Sequence, residues 1–310
     1  MPGDWGRRDS YPVRKLLGHS AGMKLSLPSA NRVKNAIASP QANPTAATPD
    51  PAAPPTAPAP PPTPVAAPAS EPSHLWSSPN KPAGPVVGQV LPIYFVGDES
   101  HSMRGAPIAA VNQGLIDLRD EVAKHPLIGK KVRFGIITFA DSAETRLELS
   151  ELSEDLILPT LSTRGRGTSY ASAFEALRHT IPGDIALLKG SGYQVHRPSV
   201  FFLSDGQPTE KENKWRARLD ELKDTAFKER PNILAFGVGD AEPKVIQQLA
   251  SSPRYAFMMT EGLSTAGAIA EFATSMLNSM VSSAERLDRG EQVIEFEKPE
   301  GFVQLDAPLV

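Results

Sequence analysis

The chain has 310 residues, a formal net charge of −3 and no cysteine. Without cysteine it cannot form disulfides, use a thiolate in catalysis or bind zinc through sulfur. A near-neutral charge gives no general reason to expect nucleic acid as a partner, and no run reaches the roughly 18 apolar residues of a membrane-spanning helix. We therefore expect a cytoplasmic protein that does not insert into membranes.

The first 35 residues form a basic arm. They contain seven Lys or Arg residues and two Asp residues, a local charge of +5. Such an arm can attract nucleic acid or an anionic membrane surface. Because it has no sustained apolar face, the sequence favours a solvated, disordered arm over residues 1–35.

Residues 36–87 form a linker rich in proline and alanine. Sixteen of the 31 prolines lie between residues 40 and 85, and only two charged residues lie between positions 35 and 80. Such a segment has little apolar surface to offset the entropy that is lost on ordering. The sequence predicts a disordered, extended spacer, although its Pro-x-x-Pro repeats could also bind a proline-recognising groove.

From residue 88 onward, short apolar runs alternate with amphipathic segments, which is the pattern of strands and helices in turn. The predicted strands lie at 91–97, 132–139, 145–149, 199–204, 233–238 and 255–260, and the predicted helices lie near 108–122, 170–188, 213–228, 242–250 and 264–284. The alternating run at 145–149 predicts a half-solvated edge strand, and 255–260 is expected to close the sheet. This order predicts a three-layer, doubly wound α/β fold with a mostly parallel sheet.

Residues 285–310 fall outside the alternation and are interpreted as a C-terminal tail. Within this tail, residues 292–297 could add a short strand, and the sequence does not decide the point.

The first predicted strand has Pro92 at its start, where a residue without an N–H is tolerated, and it ends in an Asp-x-Ser-x-Ser motif. Asp98, Ser100 and Ser102 offer three hard oxygen ligands at the carboxyl end of a strand, where α/β sheets hold their ligands. Oxygen-only ligation suits Mg²⁺, with Mn²⁺ or Ca²⁺ as alternatives, rather than zinc. Taken alone, the motif is weak because Asp and Ser are common in turns and helix caps.

Two later elements strengthen the metal-site interpretation. Thr168 ends a Gly-Arg-Gly-Thr loop before a predicted helix, and Asp205 follows a second buried strand in an Asp-Gly turn. If the strands that end at Asp98 and Asp205 are parallel neighbours, the two carboxylates lie on the same rim of the sheet. The alternative is that both aspartates merely end strands and cap turns, and the five polar side chains together favour one site.

The order strand–Asp-x-Ser-x-Ser, loop–Thr, strand–Asp-Gly resembles the von Willebrand factor A (VWA) domain over about residues 88–284. The resemblance implies a Rossmann-like sheet with one antiparallel edge strand. It also implies a metal-ion-dependent adhesion site, whose ligands would be Asp98, Ser100, Ser102, Thr168 and Asp205. In this resemblance the serines bind the ion directly, the threonine directly or through water, and the aspartates commonly through water. An ion held mainly by neutral hydroxyls stays electron-poor and can accept an Asp or Glu side chain of a partner protein.

The turn at 204–209, with the Arg-Pro pair at 197–198, is similar to the bacterial TerY-like branch of that family, which is associated with tellurite and stress resistance. The similarity implies a stress-response role, with a kinase or a phosphatase of the same system among the partners. The branch most often has glycine between the serines, whereas this chain has His101, for which we expect an exposed loop position. Glu99 could add a sixth oxygen ligand, but we expect it to face solvent or a neighbouring basic residue.

Enzyme classes fit the sequence less well. A haloacid-dehalogenase-like phosphatase also starts from an Asp at the end of its first strand, but it needs a second Asp two residues later, where this chain has Ser100. Gly-x-Ser-x-Gly and P-loop motifs are absent, and the six histidines have no metal-cluster spacing. We therefore predict a non-enzymatic, metal-dependent adaptor. A metal-dependent phosphatase and a scaffold that acts through its Pro-rich linker are the alternatives.

Overall fold

The computed structural model describes residues 87–291 and 296–305. The basic arm, the linker up to residue 86 and residues 292–295 of the candidate tail strand lie outside the described residues. The strands are β1 (Gly88–Asp98), β2 (Val132–Phe139), β3 (Ala143–Ser150), β4 (Tyr193–Val195), β5 (Ser199–Ser204), β6 (Asn232–Gly237), β7 (Ala256–Met259) and β8 (Phe302–Gln304). The helices are α1 (Ala106–Ala123), α2 (Pro126–Lys131), α3 (Tyr170–Gly190), α4 (Glu212–Lys223), α5 (Pro243–Leu249) and α6 (Thr265–Asp288). Of the described helices, none is both long enough and apolar enough to cross a membrane.

Parallel strands form the centre of the sheet. The order across it is β3-β2-β1-β5-β6-β7-β8, and β4 pairs with the beginning of β1. The edge strands β3 and β8 are antiparallel to their neighbours. The predicted mostly parallel α/β fold is therefore confirmed. The strands that lead into the two aspartates, β1 and β5, are parallel neighbours, with Gly97 opposite Leu203.

The two faces of the sheet carry separate hydrophobic cores. Along β1, Leu91, Ile93 and Phe95 belong to the core under α1, α2 and α6, whereas Tyr94 and Val96 belong to the core under α3, α4 and α5. This division follows from the two-residue period of a strand. Because helices cover both faces, β2 and β5 are buried along their whole length, which explains their largely apolar sequences.

The structure differs from the sequence prediction at the β7 edge. β7 does not close the sheet, because β8 pairs with it in the antiparallel direction and gives the sheet a second antiparallel edge. The tail is also tied to α6, where Ser275 Oγ donates to the Glu297 carbonyl at 2.5 Å and the Glu297 amide donates to Ser279 Oγ at 3.3 Å. A strand of three residues is too short for its period to be recognised in a sequence.

Several element boundaries also differ from the prediction, among them the start of β1 and the end of α4. β1 begins at Gly88, so Pro92 lies inside the strand rather than at its start. It is tolerated because it falls between the residues of β1 that pair with β4 and those that pair with β5. α4 ends at Lys223, before the predicted end, and Asp224 Oδ1 then accepts a hydrogen bond from the Ala226 amide in a turn.

Helices α1 and α6 approach each other closely at a glycine. A Cβ atom added to Gly114 would lie 2.7 Å from the Cβ of Ala273, well inside the contact distance of two carbon atoms. Glycine inside a helix costs about 0.5–1 kcal/mol relative to alanine. The close approach of the two helices therefore explains why a glycine stands at this buried position.

Gly114→Ala is expected to lower the free energy of unfolding by about 1–3 kcal/mol, because overpacking against Ala273 outweighs the gain in helix propensity. Chemical denaturation measures the change. The matched control is Gly183→Ala in α3, where an added Cβ meets no atom within 4 Å and should stabilise the domain slightly. Adding Ala273→Gly should restore part of the lost stability. A Gly114→Ala variant as stable as the wild type would contradict the tight helix contact.

Candidate metal centre

Asp98, the last residue of β1, fixes the Asp-x-Ser-x-Ser loop. Its Oδ1 accepts a hydrogen bond from the Ser100 amide and its Oδ2 accepts one from the Ser204 hydroxyl, both at 2.8 Å. The chain then makes a 3₁₀ turn whose last residue, Met103, is buried in the core under α1. Asp98 therefore joins this loop to the end of β5 and holds the backbone that carries the two serines.

A chain of hydrogen bonds connects the serines to the second aspartate. Ser102 Oγ donates to Asp205 Oδ1 at 2.8 Å, and the Ser100 and Ser102 hydroxyl oxygens are 2.9 Å apart. Ser102 gives its single hydroxyl hydrogen to Asp205, so Ser100 is the donor within the serine pair. The structure thus brings four of the five predicted ligands, including Asp98, into one network, although Asp205 follows Ser102 by 103 residues.

Thr168, the fifth predicted ligand, is joined to the loop after β5 through its backbone. Its amide donates to Thr209 Oγ1 at 3.1 Å, and its carbonyl accepts from the Thr209 amide at 3.0 Å. Thr209 follows Asp205 in the same loop. Within the described residues, the Thr168 hydroxyl forms no hydrogen bond with the other four side chains. The Thr168 loop therefore belongs to the same rim without closing the hydroxyl network.

The two carboxylates are buried without a basic partner. Asp98 is 1% exposed and Asp205 is 5% exposed. Burial raises the pKa of Asp98 to about 6, and burial also raises the pKa of Asp205. In the part of the chain that the structure describes, neither carboxylate forms an ion pair with Lys, Arg or His. A cation bound between the two ionised groups would balance their charge.

The available donors fit a hard divalent cation. They are three hydroxyls and two carboxylates, with no sulfur or imidazole, and Mg²⁺, Mn²⁺ and Ca²⁺ all prefer such oxygen ligands. Residues 87–291 and 296–305 contain no group of three or more His, Cys, Asp or Glu side chains placed to hold a metal ion. A metal site on this rim would therefore depend on its serine and threonine hydroxyls.

Glu99 and His101, which lie between the predicted ligands in the sequence, differ in exposure. Glu99 is 0% exposed, and its Oε2 forms an ion pair with Arg164 Nε at 2.7 Å. Its Oε1 accepts a hydrogen bond from the Ser162 amide at 3.2 Å. Of the two expected surroundings, solvent or a basic residue, the structure shows the basic residue. Since both carboxylate oxygens are engaged, the geometry argues against a sixth metal ligand. His101 is exposed, as expected.

Three residues that support the rim were not identified from the sequence. Ser204 donates to the first aspartate, the Tyr170 hydroxyl donates to the Gly206 carbonyl at 3.0 Å, and Glu210 accepts from the Ala171 amide at 2.6 Å at the start of α3. Ser204 and Glu210 flank the Asp-Gly turn, and this proximity was the only signal that the sequence offered. For Tyr170 the sequence offered no such signal. Its ring packs among aromatic side chains in the structure, as the ring of an ordinary core residue does.

Comparison with known proteins identifies the domain type. A family model described as the von Willebrand factor type A domain matches residues 93–271, more than half of the 310 residues. The matched range contains all five predicted ligands. A comparison with curated proteins gives no match.

The solved structures that the chain resembles include proteins from a mussel and a bacterium. Proximal thread matrix protein 1 from the mussel byssus is 16% identical in one crystal form, with 65% of this chain and 49% of that chain covered and a TM-score of 0.44. A second structure of that protein, described as having a zinc-occupied MIDAS motif, is 21% identical, with 64% and 46% covered and a TM-score of 0.43. The open conformation of the pilus adhesin SpaC from Lactobacillus rhamnosus GG is 16% identical, with 64% and 30% covered and a TM-score of 0.49. The chain spans less than half the length of each, and the likeness concerns the fold alone.

Asp98→Asn should separate the effect of this carboxylate on the stability of the metal-free fold from its effect on metal binding. In EDTA at neutral pH, loss of the buried charge is expected to raise the free energy of unfolding by about 1–3 kcal/mol, since one pKa unit corresponds to about 1.4 kcal/mol. The folded-state pKa of about 6 lies above the ordinary value of 3.8. The ionised group therefore destabilises the metal-free fold above pH 6, and this cost disappears as the pH falls towards 3.8.

With excess Mg²⁺ the Tm of the wild type is expected to rise, and that of Asp98→Asn to stay constant. Thermal denaturation in EDTA and in Mg²⁺ measures both effects. Asp155→Asn, which removes an exposed carboxylate, is the matched control. It should change neither the stability in EDTA nor the rise of Tm in Mg²⁺. An Asp98→Asn variant that is less stable than the wild type in EDTA would contradict the electrostatic argument.

Proposed function

Because the chain belongs to the von Willebrand factor type A domain family, we propose that it is a metal-dependent adaptor that binds an acidic side chain of a partner protein. The proposed adhesion site consists of Asp98, Ser100, Ser102, Thr168 and Asp205. One observation carries the proposal. A hydrogen-bonded network runs from Ser100 through Ser102 to Asp205, and both carboxylates of the site are buried without a basic partner in the described chain.

The donor groups explain why the site would favour an acidic partner. A bound divalent cation supplies an electron-poor centre for a carboxylate oxygen, because neutral hydroxyls reduce its charge very little. Ser102 donates to Asp205 and accepts from Ser100, which leaves one lone pair of its oxygen for a ligand. Asp98 is held by the Ser100 amide and the Ser204 hydroxyl, so its carboxylate keeps one orientation while a ligand exchanges. We propose Mg²⁺ as the ion, with Mn²⁺ and Ca²⁺ as alternatives.

The wider biological role is a further part of this proposal. The turn at 204–209 supports a TerY-like role in a bacterial stress or tellurite-resistance system, in the cytoplasm, alongside a kinase or phosphatase of that system. The proposed layout has a basic arm at 1–35, a Pro/Ala linker at 36–87, the VWA domain at 88–284 and a tail at 285–310. The tail residues 296–305 pack on the domain through β8 and α6, which supports purifying the domain together with its tail.

A non-enzymatic role fits the site better than phosphatase chemistry. A phosphatase of the class considered above needs a carboxylic acid two residues after Asp98, and Ser100 instead gives its hydrogen to Ser102. A generic phosphate ester provides the test. We expect no turnover with Mg²⁺. Turnover that Asp98→Asn abolishes would favour the enzyme.

Calorimetric titration with Mg²⁺ tests the metal site. We expect weak binding by the wild type and loss of at least about tenfold in affinity for Ser102→Ala and for Asp205→Ala, because each removes a donor and breaks the hydroxyl network. Asp240→Asn is the matched control. The variant removes an exposed carboxylate. The backbone amide of Asp240 donates to the Asp205 carbonyl at 2.9 Å, so Asp240 lies beside the site without belonging to the donor set. Equal affinities for all four proteins would contradict the site.

Affinity capture from a lysate of the source cells tests the adaptor role. Three baits are compared: the wild type in Mg²⁺, the wild type in EDTA, and Asp205→Ala in Mg²⁺. A partner retained only by the wild type in Mg²⁺ is the expected result. Partners that are the same in all three, and that disappear when residues 1–86 are deleted, would favour the scaffold acting through its Pro-rich linker.

A further inference from the structure

Thr168 stands on a segment that is held by side chains rather than by regular secondary structure. Between the end of β3 at Ser150 and the start of α3 at Tyr170, the described chain forms no helix or strand. We call residues 161–168 of this segment the Thr168 loop. Long segments of this kind in compact domains usually have a function. A ligand on such a loop needs anchors, because a metal site requires donors that are fixed to within about 0.5 Å.

Glu99 is an anchor of the Thr168 loop that follows Asp98 directly in the sequence. Its Oε1 accepts from the Ser162 amide at 3.2 Å, its Oε2 accepts from Arg164 Nε at 2.7 Å, and its carbonyl accepts from the Arg164 amide at 2.7 Å. Burial of a carboxylate is costly unless it is paired and hydrogen-bonded. The bonds of the Glu99 carboxylate go to the Thr168 loop rather than to the core.

Arg164 extends this anchor to the far side of the loop. Its guanidinium donates to the Thr138 carbonyl at 3.2 Å and to the Ser142 carbonyl at 3.1 Å. Both acceptors lie at the end of β2 or in the turn that follows it. Arg164, a residue of the Thr168 loop, therefore links Glu99 on one side to the β2–β3 turn on the other.

Separate anchors hold the two ends of the loop. Asn112 exchanges two hydrogen bonds with the backbone of Leu161, both at 2.8 Å, and Asp141 Oδ1 accepts from the Gly167 amide at 2.7 Å. A Cβ on Gly167 would lie 2.6 Å from that carboxylate oxygen, so the approach depends on glycine. Because these anchors do not involve Glu99, a variant without its carboxylate should still fold.

We propose that Glu99 is a positioning residue for the metal site: through Arg164 it fixes the Thr168 loop in the arrangement that binding of a divalent cation requires. This inference rests on the proposed function. It assigns Glu99 neither to the ligands nor to the contact surface, but to the ordering of Thr168, which lies on a long segment without helix or strand.

The test compares Glu99→Gln with Arg164→Gln by calorimetric titration with Mg²⁺. A purely electrostatic effect predicts opposite signs, because loss of a negative charge weakens cation binding and loss of a positive charge strengthens it. Positioning predicts that both variants bind Mg²⁺ more weakly, by about tenfold each. Tighter binding by Arg164→Gln would overturn the proposal.

A double-mutant cycle with Thr168→Val checks the route of the effect. If Glu99 acts through Thr168, then Glu99→Gln should reduce Mg²⁺ affinity in the wild-type background and have no further effect when the Thr168 hydroxyl is absent. Equal reductions in both backgrounds would overturn the proposal. Tyr94→Phe is the control for general destabilisation, because it removes a hydrogen bond of 2.7 Å from a buried β1 residue to Asp184. It should leave Mg²⁺ affinity unchanged.

Amide hydrogen exchange in EDTA provides a readout that needs no metal. Glu99→Gln should speed exchange at Gly167 and Thr168, which Glu99 does not contact, and Tyr94→Phe should not. Unchanged exchange at both amides would overturn the proposal. A wild type that binds no Mg²⁺, together with faster exchange in Glu99→Gln, would instead refute the metal site while leaving the anchoring of the loop intact.

Discussion

Two buried carboxylates without a basic partner are the constraint on which this site depends. Asp98 and Asp205 stand at the carboxyl ends of β1 and β5, and the pairing of these strands brings them to one rim. Hydrogen bonds from a backbone amide and two serine hydroxyls reduce the cost of burying the charges without neutralising them. The rim is thus organised around negative charge that a bound cation would balance, with hydroxyl groups beside it.

The parts of the rim differ in how they are held. Both aspartates follow strands that are buried on two faces between separate cores, so their positions are set by the sheet itself. Thr168 has no such support and is held by hydrogen bonds outside the sheet, directly to Thr209 and, through its loop, to Glu99 and Asp141. The site therefore combines rigid strand ends with a loop whose position depends on polar anchors.

The hydroxyl network also bears on the distinction between binding and catalysis. Ser100 and Ser102 are linked to each other and to Asp205, so the proton acceptor in this chain of bonds is a carboxylate rather than an imidazole. The proposed role of the rim is the capture of an external carboxylate by a bound cation. Membership of the von Willebrand factor type A domain family supports an interaction role for the domain.

The sequence by itself determined the order of six strands and five helices, although not β4, β8 and α2, together with the mostly parallel sheet and the polar residues at two strand ends. It could do so because largely apolar runs such as β2 and β5 and the motif at Asp98 are local signals. Only the tertiary structure decided that Glu99 is buried against Arg164, that Ser204 holds Asp98, and that β8 adds a second antiparallel edge. Each of these contacts joins residues far apart in the chain, or a strand of three residues, and no local pattern encodes which side chains a fold brings together.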